Sequence, residues 1–592
     1  MIRRGFPAGL ARVAALALVV VLVGLLPWLS GRDPALALLR ARSAEREPTP
    51  EALQAVREEY GLDAGPWGML GGWLSGLVRG DLGYSWVSGA RVLPSVVEAT
   101  GVSLYLMGAA LAVALLVAAA VCAPVLVRGA RGTLRPGGSG SGGAAAMLAA
   151  LPEFLLAVLL MVVLAVWAGW LPPYGWDRPE NAILPALAMG IPAGGLLGRL
   201  TSDALPSVFA ERWVALWTAS GCSPAQIAAA ALRRATPALL PQLGMVAVGL
   251  AGGAVAVETV FAVPGIGRTA IGAAESRDLP VLQGAVLVLV LLGAVVGIAA
   301  QAVRAAMLGP GLRDAALSLP PPPAAPAGAV RRLVPAACAG LLVAVTAAGL
   351  ARDAVTVDAA RRLDAPSWAH PLGTDPVGRD VLARLGHGAL ATVGTAALVC
   401  LLALAIALVI GFFPAITAGA AEAANAVPPV IAAILVAATT GPGQTGAVIA
   451  VTLVSWPPLA AHGAALVQET RAAAYLTAQR AFGATPRWIL LRHVLPAVAG
   501  PVARHAVLRL PGIALSLAAL GFLGLGGQPP SAEWGLTMSE SLPYLERAPL
   551  AVLAPAGMLL VLAAFAVSLS TLPGGPRTAA ARAQTTVPAG AA

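Results

Sequence analysis

The chain has 592 residues, of which 58% are hydrophobic and only 11% charged, and its mean hydropathy is +0.82. Soluble domains carry about twice that share of charge, so this composition indicates an integral membrane protein. The net charge of +10 comes entirely from Arg, because the sequence contains no Lys. The absence of Lys excludes a Walker A nucleotide site and Schiff-base chemistry, and basic residues beside membrane spans explain the charge better than nucleic-acid binding does.

Twelve apolar runs close to 20 residues long predict transmembrane helices. The first follows Arg3 and Arg4 and resembles a signal peptide, but it is too long for one, so we interpret it as an uncleaved anchor. The predicted spans are about 8–29, 97–127, 144–170, 182–200, 241–263 and 281–307, then 333–350, 388–413, 422–440, 444–466, 497–521 and 549–571.

The external segment 30–94 contains one stretch with helical signals. Thr49 is a candidate N-cap, Pro50 suits the first helical position, and Gly61 suits the stop. The sequence therefore predicts a short helix between Thr49 and Gly61, packed on the membrane face.

A Pro/Ala-rich stretch without periodicity divides the chain into two halves. We assign 1–310 to the first half, 311–332 to the linker, 333–572 to the second half and 573–592 to a tail. Gly221 and Gly483 are followed, at nearly the same interval, by Phe261 and Phe522. This offset indicates a duplication or a fusion of two related subunits, which cross the membrane in the same direction.

Arg residues are concentrated in alternate loops between the predicted spans, and acidic residues in the others. The positive-inside rule then places both termini, the linker and the tail in the cytoplasm. It also places there the segments around Gly221 and Gly483.

The stretch AFGATPRWILLRHVLP, residues 481–496, shows local order within one of these cytoplasmic loops. Gly483 allows a sharp turn, Thr485 is positioned to cap a helix, and Pro486 suits its first position. Trp488 and Leu491 then fall on one face together with Leu495, and Arg492 and His493 lie off that face. Such a pair of short helices is expected either to lie on the membrane surface or to insert into a partner.

Several acidic residues near the spans invite a functional interpretation. Glu258 ends an apolar run, and it is expected either to hold the Gly-rich turn that follows or to contact a substrate. Glu153 is expected to lie at the cytoplasmic edge of its span. Asp375 and Asp380 are two external carboxylates, for which turn formation and helix capping are favoured over metal binding or acid catalysis.

The loop around Gly483 resembles the EAA loop of permease subunits of binding-protein-dependent ABC importers. In YLTAQRAFGATPRWILLRHVLP, residues 475–496, the glycine and the closing His-x-Leu-Pro match, while Thr477 and Gln479 replace the motif's Glu and second Ala. The first-half copy, residues 212–237, keeps Ala219 and Gly221 and has Ala231 in place of the His.

Four longer stretches are similar to the dipeptide, oligopeptide and nickel permeases of that class. GLVRGDLGYSW (76–86) and ETVFAVPGIGRTAIGAAESRDLPVLQG (258–284) resemble the first permease of the pair. HPLGTDPVGRDVLARLGHGA (370–389) and GFLGLGGQPPSAEWG (521–535) resemble the second. The chain thus resembles the two permeases fused in one polypeptide.

The resemblance implies an all-α polytopic membrane protein of about 12 transmembrane helices, arranged as two six-helix ABC-importer permease (MetI-like) halves. It implies a bacterial plasma-membrane permease, not an enzyme, without catalytic residues, metal or cofactor. Two ABC ATP-binding subunits would drive it from the cytoplasm, and an extracytoplasmic binding protein or lipoprotein would deliver short peptides or nickel and metal-chelate complexes. The lipid bilayer is its other partner, and nucleic acid is not expected. The alternative is a six-plus-six secondary transporter, a class that needs ionisable residues in its spans.

The resemblance also assigns site residues. ATPase docking would involve Trp217, Ala219, Gly221, Tyr475, Ala478, Gly483, Ala484, His493 and Pro496. The translocation path or outer gate would involve Glu258, Phe261, Pro264, Gly265, Gly267, Phe522, Gly524 and Gly526.

Overall fold

The structure is a computed structural model, and its description covers most of the chain. The described residues are 17–29, 35–36, 39, 49–60, 64–134, 142–308, 329–413 and 429–570. The tail and nearly all of the linker lie outside these residues, as do the beginnings of the predicted spans 8–29 and 422–440.

The first half is built from helices, preceded by a mostly helical segment at 17–29. Thr49 caps the external helix as the sequence predicts, because its Oγ1 accepts a hydrogen bond from the Ala52 N–H at 3.3 Å. The helices are α1 (Pro50–Tyr60), α2 (Gly65–Val78), α3 (Val92–Ala130), α4 (Gly142–Ala150), α5 (Glu153–Leu160), α6 (Ile183–Phe209), α7 (Arg212–Ala219), α8 (Pro224–Val260), α9 (Ile266–Glu275) and α10 (Leu279–Leu308).

The second half repeats this order. Its helices are α11 (Ala329–Leu350), α12 (Val381–Gly411), α13 (Pro429–Thr440), α14 (Gln444–Arg471), α15 (Ala474–Ala481), α16 (Pro486–Ile489), α17 (Leu495–Phe522), α18 (Trp534–Ser541) and α19 (Pro549–Ser570). The described residues contain two isolated β-bridges and no extended strand.

Small residues bring the long helices together. On α6, Gly190, Gly194 and Gly198 recur every four residues and face α3. A Cβ on Gly194 would lie 2.5 Å from the Ala114 carbonyl oxygen of α3, so only glycine allows the two backbones to come this close. Such stripes of small residues are typical of helix packing in membranes, where van der Waals contact replaces the hydrophobic driving force.

The two halves meet through aromatic and loop contacts. The rings of Phe154 on α5 and Phe522 on α17 have centroids 5.7 Å apart. The Gly-rich turn of the second half, residues 521–527, approaches the end of α9. A Cβ on Gly524 in this turn would lie 3.8 Å from Glu275 Oε1. One apolar core runs through both halves.

The helices overlap every predicted span, with one difference in continuity. Among the described residues, eight helices are long and apolar enough to cross a membrane, and three shorter apolar helices accompany them. The predicted single span 144–170 is wrong in its continuity, since the chain breaks at Leu151 and Pro152 and continues as α5 followed by a π-helix, Met161–Trp167. Pro152, which has no N–H to donate, stands at the N-cap position of α5.

Candidate functional site

The loop between α14 and α17 has the geometry that its sequence predicts. It reverses at Gly483, whose φ of 84° lies in the left-handed region that glycine tolerates best. Thr485 then caps α16, with its side chain accepting the Trp488 N–H at 3.3 Å, and Pro486 opens the helix. We call residues 474–488 the second Gly loop.

The first half contains a similar helix–turn–helix segment between α6 and α8, which we call the first Gly loop (residues 212–226). Gly221 has a φ of 79° and follows α7 as Gly483 follows α15. Ser223 and Gln226 form a capping box at the start of α8, with Pro224 at its first position. Between the two loops, the described residues contain four helices long and apolar enough to cross a membrane and two shorter apolar helices.

Both Gly loops expose large apolar side chains. Phe482 is 85% exposed and Leu216 66% exposed, while Trp217 and Trp488 keep about two fifths of their surface accessible. Of the residues assigned to docking, Ala219, Tyr475, Ala478 and Pro496 are also exposed, and Ala484 packs partly against an apolar cluster beneath the second loop. An exposed apolar patch of this kind marks an interaction surface.

The predicted apolar face of Trp488, Leu491 and Leu495 does not face the core. Ile489 and Val494 are buried, whereas Trp488 and Leu491 are exposed. The cause is the π-helix at Leu490–Val494, which adds a residue to the turn and shifts the phase of the side chains. His493, predicted to lie off this face, instead packs edge-on against the Trp488 ring, with centroids 4.7 Å apart, and also contacts Tyr475.

Near the other end of α8, Glu258 organises the Gly-rich turn between α8 and α9. The side chain is fully buried; Oε1 accepts a hydrogen bond from Ser103 Oγ at 2.5 Å, and Oε2 accepts one from the Arg268 N–H at 3.0 Å. Gly265 and Gly267 lie directly against this carboxyl group. Glu258 therefore holds the turn together and is not open to a substrate in this conformation.

The other first-half gate residues lie around this turn. Phe261 is buried at the end of α8, whereas Pro264 is exposed. The described contacts bring Phe522 to Phe154 of the first half, and none joins Phe522 to Phe261.

The second half has an equivalent buried acid that the sequence analysis missed. Glu533 caps α18 by accepting the N–H groups of Gly535 and Leu536, each at 2.9 Å. Burial raises the pKa of this carboxyl to about 7, and the two N–H groups oppose that shift. A Cβ on Gly521 would overlap the carboxyl, and Gly526 packs against Gly521. Both turns share a glutamate beside a Gly-rich segment, whose carboxyl accepts N–H groups from the first turn of a short helix.

We expect Gly265→Ala to destabilise the protein by about 2–3 kcal/mol, because its methyl group would overlap the Glu258 carboxyl and displace its hydrogen bonds. Gly272→Ala on α9 is the matched control, since a Cβ there meets nothing within 4 Å. Unfolding of the detergent-solubilised protein measures both. Equal stability of the two variants would contradict the role given to Glu258.

In each half, the two stretches that carry the family resemblance lie far apart in the sequence but contact each other in the structure. In the first half, Asp278 accepts hydrogen bonds from Ser85 Oγ and, at 3.0 Å, from the Trp86 N–H. In the second half, the Trp534 indole donates to the Leu385 carbonyl at 2.9 Å, and Arg384 donates to that of Ser531 at 3.0 Å.

A buried ion network anchors the second-half contact. Asp375 pairs with Arg379 at 2.6 Å and with Arg384 at 3.6 Å, and Glu540 of α18 pairs with the two arginines at 2.9 and 3.0 Å. Asp380 caps α12 by accepting the Ala383 N–H at 2.9 Å. Both aspartates therefore build the turn, as the sequence analysis favours, and they do so within a network that sequence alone did not show.

Two regions of the chain, 141–312 and 401–572, match the model of the binding-protein-dependent transport system inner membrane component. Together they make up more than half of the sequence. The chain belongs to this family. It carries the family's domain twice, and each copy of this permease domain contains one Gly loop and one of the Gly-rich turns.

Single permease proteins are similar to parts of the chain. The di/tripeptide transport system permease protein DppC of Pseudomonas aeruginosa is 35% identical over 232 residues, which are 35% of this chain and 73% of that protein. The peptide transport system permease protein SapC of Escherichia coli O6:H1 is 35% identical over 210 residues, which are 33% of this chain and 71% of that protein. Each relative thus matches about a third of this chain but more than two thirds of itself, as expected for a fused permease pair.

Proposed function

We propose that this permease forms the translocation path of an ATP-driven importer of short peptides. Two ABC ATP-binding subunits dock on the Gly loops from the cytoplasm, and an extracytoplasmic binding protein delivers the substrate to the other side. Both termini are cytoplasmic. The observation that carries the proposal is the pair of Gly loops with exposed apolar side chains, one in each half.

The helices connect these loops to the Gly-rich turns. α8 begins at the capping box of the first Gly loop and ends beside Glu258, and its 37 residues span about 55 Å. In the second half, helical structure continues from Pro486 to Phe522. A displacement of either loop is therefore carried along one helix to the opposite face, where it alters the gate.

ATP drives this cycle only if the ATPase contacts differ between its states. Closure of the two ATPases would move the Gly loops toward each other, and their opening would reverse that motion. The access of the path would alternate accordingly between the two sides of the membrane.

Peptide as the substrate rests on the names of the relatives, which are peptide transport permeases. Nickel and metal chelates, which the sequence resemblance also implies, receive no support from these relatives. The family assignment favours an ABC importer over the six-plus-six secondary transporter.

Co-purification with the ATP-binding subunits tests the docking surface. We expect Phe482→Ser to reduce recovery of these subunits by about tenfold or more, because an exposed aromatic anchor is lost from the proposed interface. Trp368→Ser is the matched control: Trp368 is fully exposed in the segment between α11 and α12, on the opposite side from the Gly loops. Equal recovery of ATPase from both variants would contradict docking at the second Gly loop.

A further inference from the structure

A carboxyl group lies in the middle of a membrane crossing, where the chain breaks. Glu153 is the first residue of α5, after the break at Pro152, and it stands 11 residues beyond Gly142 and 14 before Trp167. The sequence predicts Glu153 at the cytoplasmic edge of its span, and we infer a deeper position because α4 precedes it within the same apolar run.

The neighbouring half-helix makes room for this side chain. The carboxyl lies against Gly253 of α8, where any Cβ would overlap it. Gly253 is seven residues from the end of α8 at Val260, or about 10 Å along the axis. The space that Gly253 leaves for the carboxyl group is thus about two helical turns away from the Gly-rich turn, within the apolar part of α8.

Glu153 has no hydrogen-bond or ion-pair partner among the described residues, and its side chain remains partly exposed although Phe154 to Val158 are buried. Phe154, the next residue, contacts Phe522 of the second half. The residue next to Glu153 therefore touches the second half, and a path between the two halves would run close to this carboxyl group.

An acid at this depth is costly, and such residues face a bundle interior or a water-filled cavity and mark the path of a substrate. Glu153 has no cationic partner among the described residues, so its carboxyl group is available to pair with a cationic group of a passing ligand.

We propose that Glu153 binds the α-ammonium group of a peptide during its passage through the permease. This inference rests on the proposed function, and it assigns a substrate contact within that path. The contact is a charge-assisted hydrogen bond in a medium of low dielectric constant, which strengthens the interaction relative to water.

Peptide uptake into proteoliposomes tests the assignment. The vesicles contain the chain and its ATPase subunits, and the binding protein, loaded with a labelled tripeptide, is added at a saturating concentration. We expect Glu153→Gln to lower the uptake rate by about tenfold or more, because an amide keeps the shape but not the charge. Glu153→Asp retains most of the activity. Glu180→Gln, in the short 3-10 helix Pro179–Ala182 where the side chain is exposed, is the control, and we expect it to leave uptake unchanged.

A second measurement separates charge from folding. In a variant whose four native Cys are replaced by Ala, Glu153→Cys is treated with a sulfonatoethyl or an aminoethyl methanethiosulfonate. We expect the anionic adduct to restore uptake and the cationic adduct to leave it low. A wild-type rate for Glu153→Gln, or the same response to both reagents, would overturn the inference while leaving the importer intact. If the unaltered complex takes up no peptide, the proposed function itself fails.

Discussion

We expect replacement of Gly483 by Val to abolish the proposed ATP-driven uptake while the chain remains inserted in the membrane. A residue with a Cβ in the left-handed region is strained by about 1–2 kcal/mol, and a β-branched residue more so. A Cβ at Gly483 would meet nothing within 4 Å, so the strain comes from the backbone alone. We expect the second Gly loop to relieve it by opening the turn that the N–H groups of Gly483 and Ala484 close. The angle between α15 and α16 then changes, and with it the surface offered to the ATPase.

Gly441 provides a matched control on the other side of the membrane. It has the same φ of 84° and equally open surroundings, but it lies between α13 and α14. Gly441→Val therefore introduces the same backbone strain away from the Gly loops.

The test measures peptide uptake, recovery of the ATPase subunits and the amount of each variant in the membrane. The expected pattern is normal membrane content in both and loss of uptake in Gly483→Val alone. Normal uptake in Gly483→Val would remove the docking role from this loop, and equal loss in Gly441→Val would show that the strain itself is the cause.

Replacing Asp375 by Asn destabilises the second half by about 3–5 kcal/mol, the usual cost of removing one partner from a buried ion pair. Asp375 is 1% exposed, and its carboxylate faces Arg379 and Arg384, of which the latter is fully buried. Without this charge, Glu540 alone would have to balance both guanidinium groups.

Asp358→Asn is the control for the same chemistry at the surface. Asp358 pairs with Arg361 at 3.4 Å, and about half of each side chain is exposed, so the loss is expected to stay below about 1 kcal/mol. Denaturant unfolding of the solubilised chain compares the two. Similar losses in both variants would show that the buried network contributes little.

Local features were predictable from the sequence because they depend on adjacent residues. The turn at Gly483, the cap at Thr485 and the first helical position of Pro486 follow from short-range sterics and hydrogen bonding. The helical class and the approximate spans follow from the length of the apolar runs. Asp380 as a helix cap belongs to the same category.

Features that depend on distant partners were not predictable. Arg384 and Glu540 are 156 residues apart, and nothing local in the sequence shows that they pair. The π-helix at Leu490–Val494 shifted the apolar face of the second Gly loop, since a regular helical period was assumed there. The break at Pro152 was not predicted because the apolar run 144–170 continues through it.

Transport by proteoliposomes that contain the chain with and without its ATP-binding subunits tests the central claim most directly. Binding protein and labelled peptide are supplied on one side and ATP on the other, and an ion gradient is tested in place of ATP. The account predicts uptake only when both the ATPase subunits and ATP are present. Uptake by the chain alone, or uptake driven by an ion gradient without ATP, would contradict it.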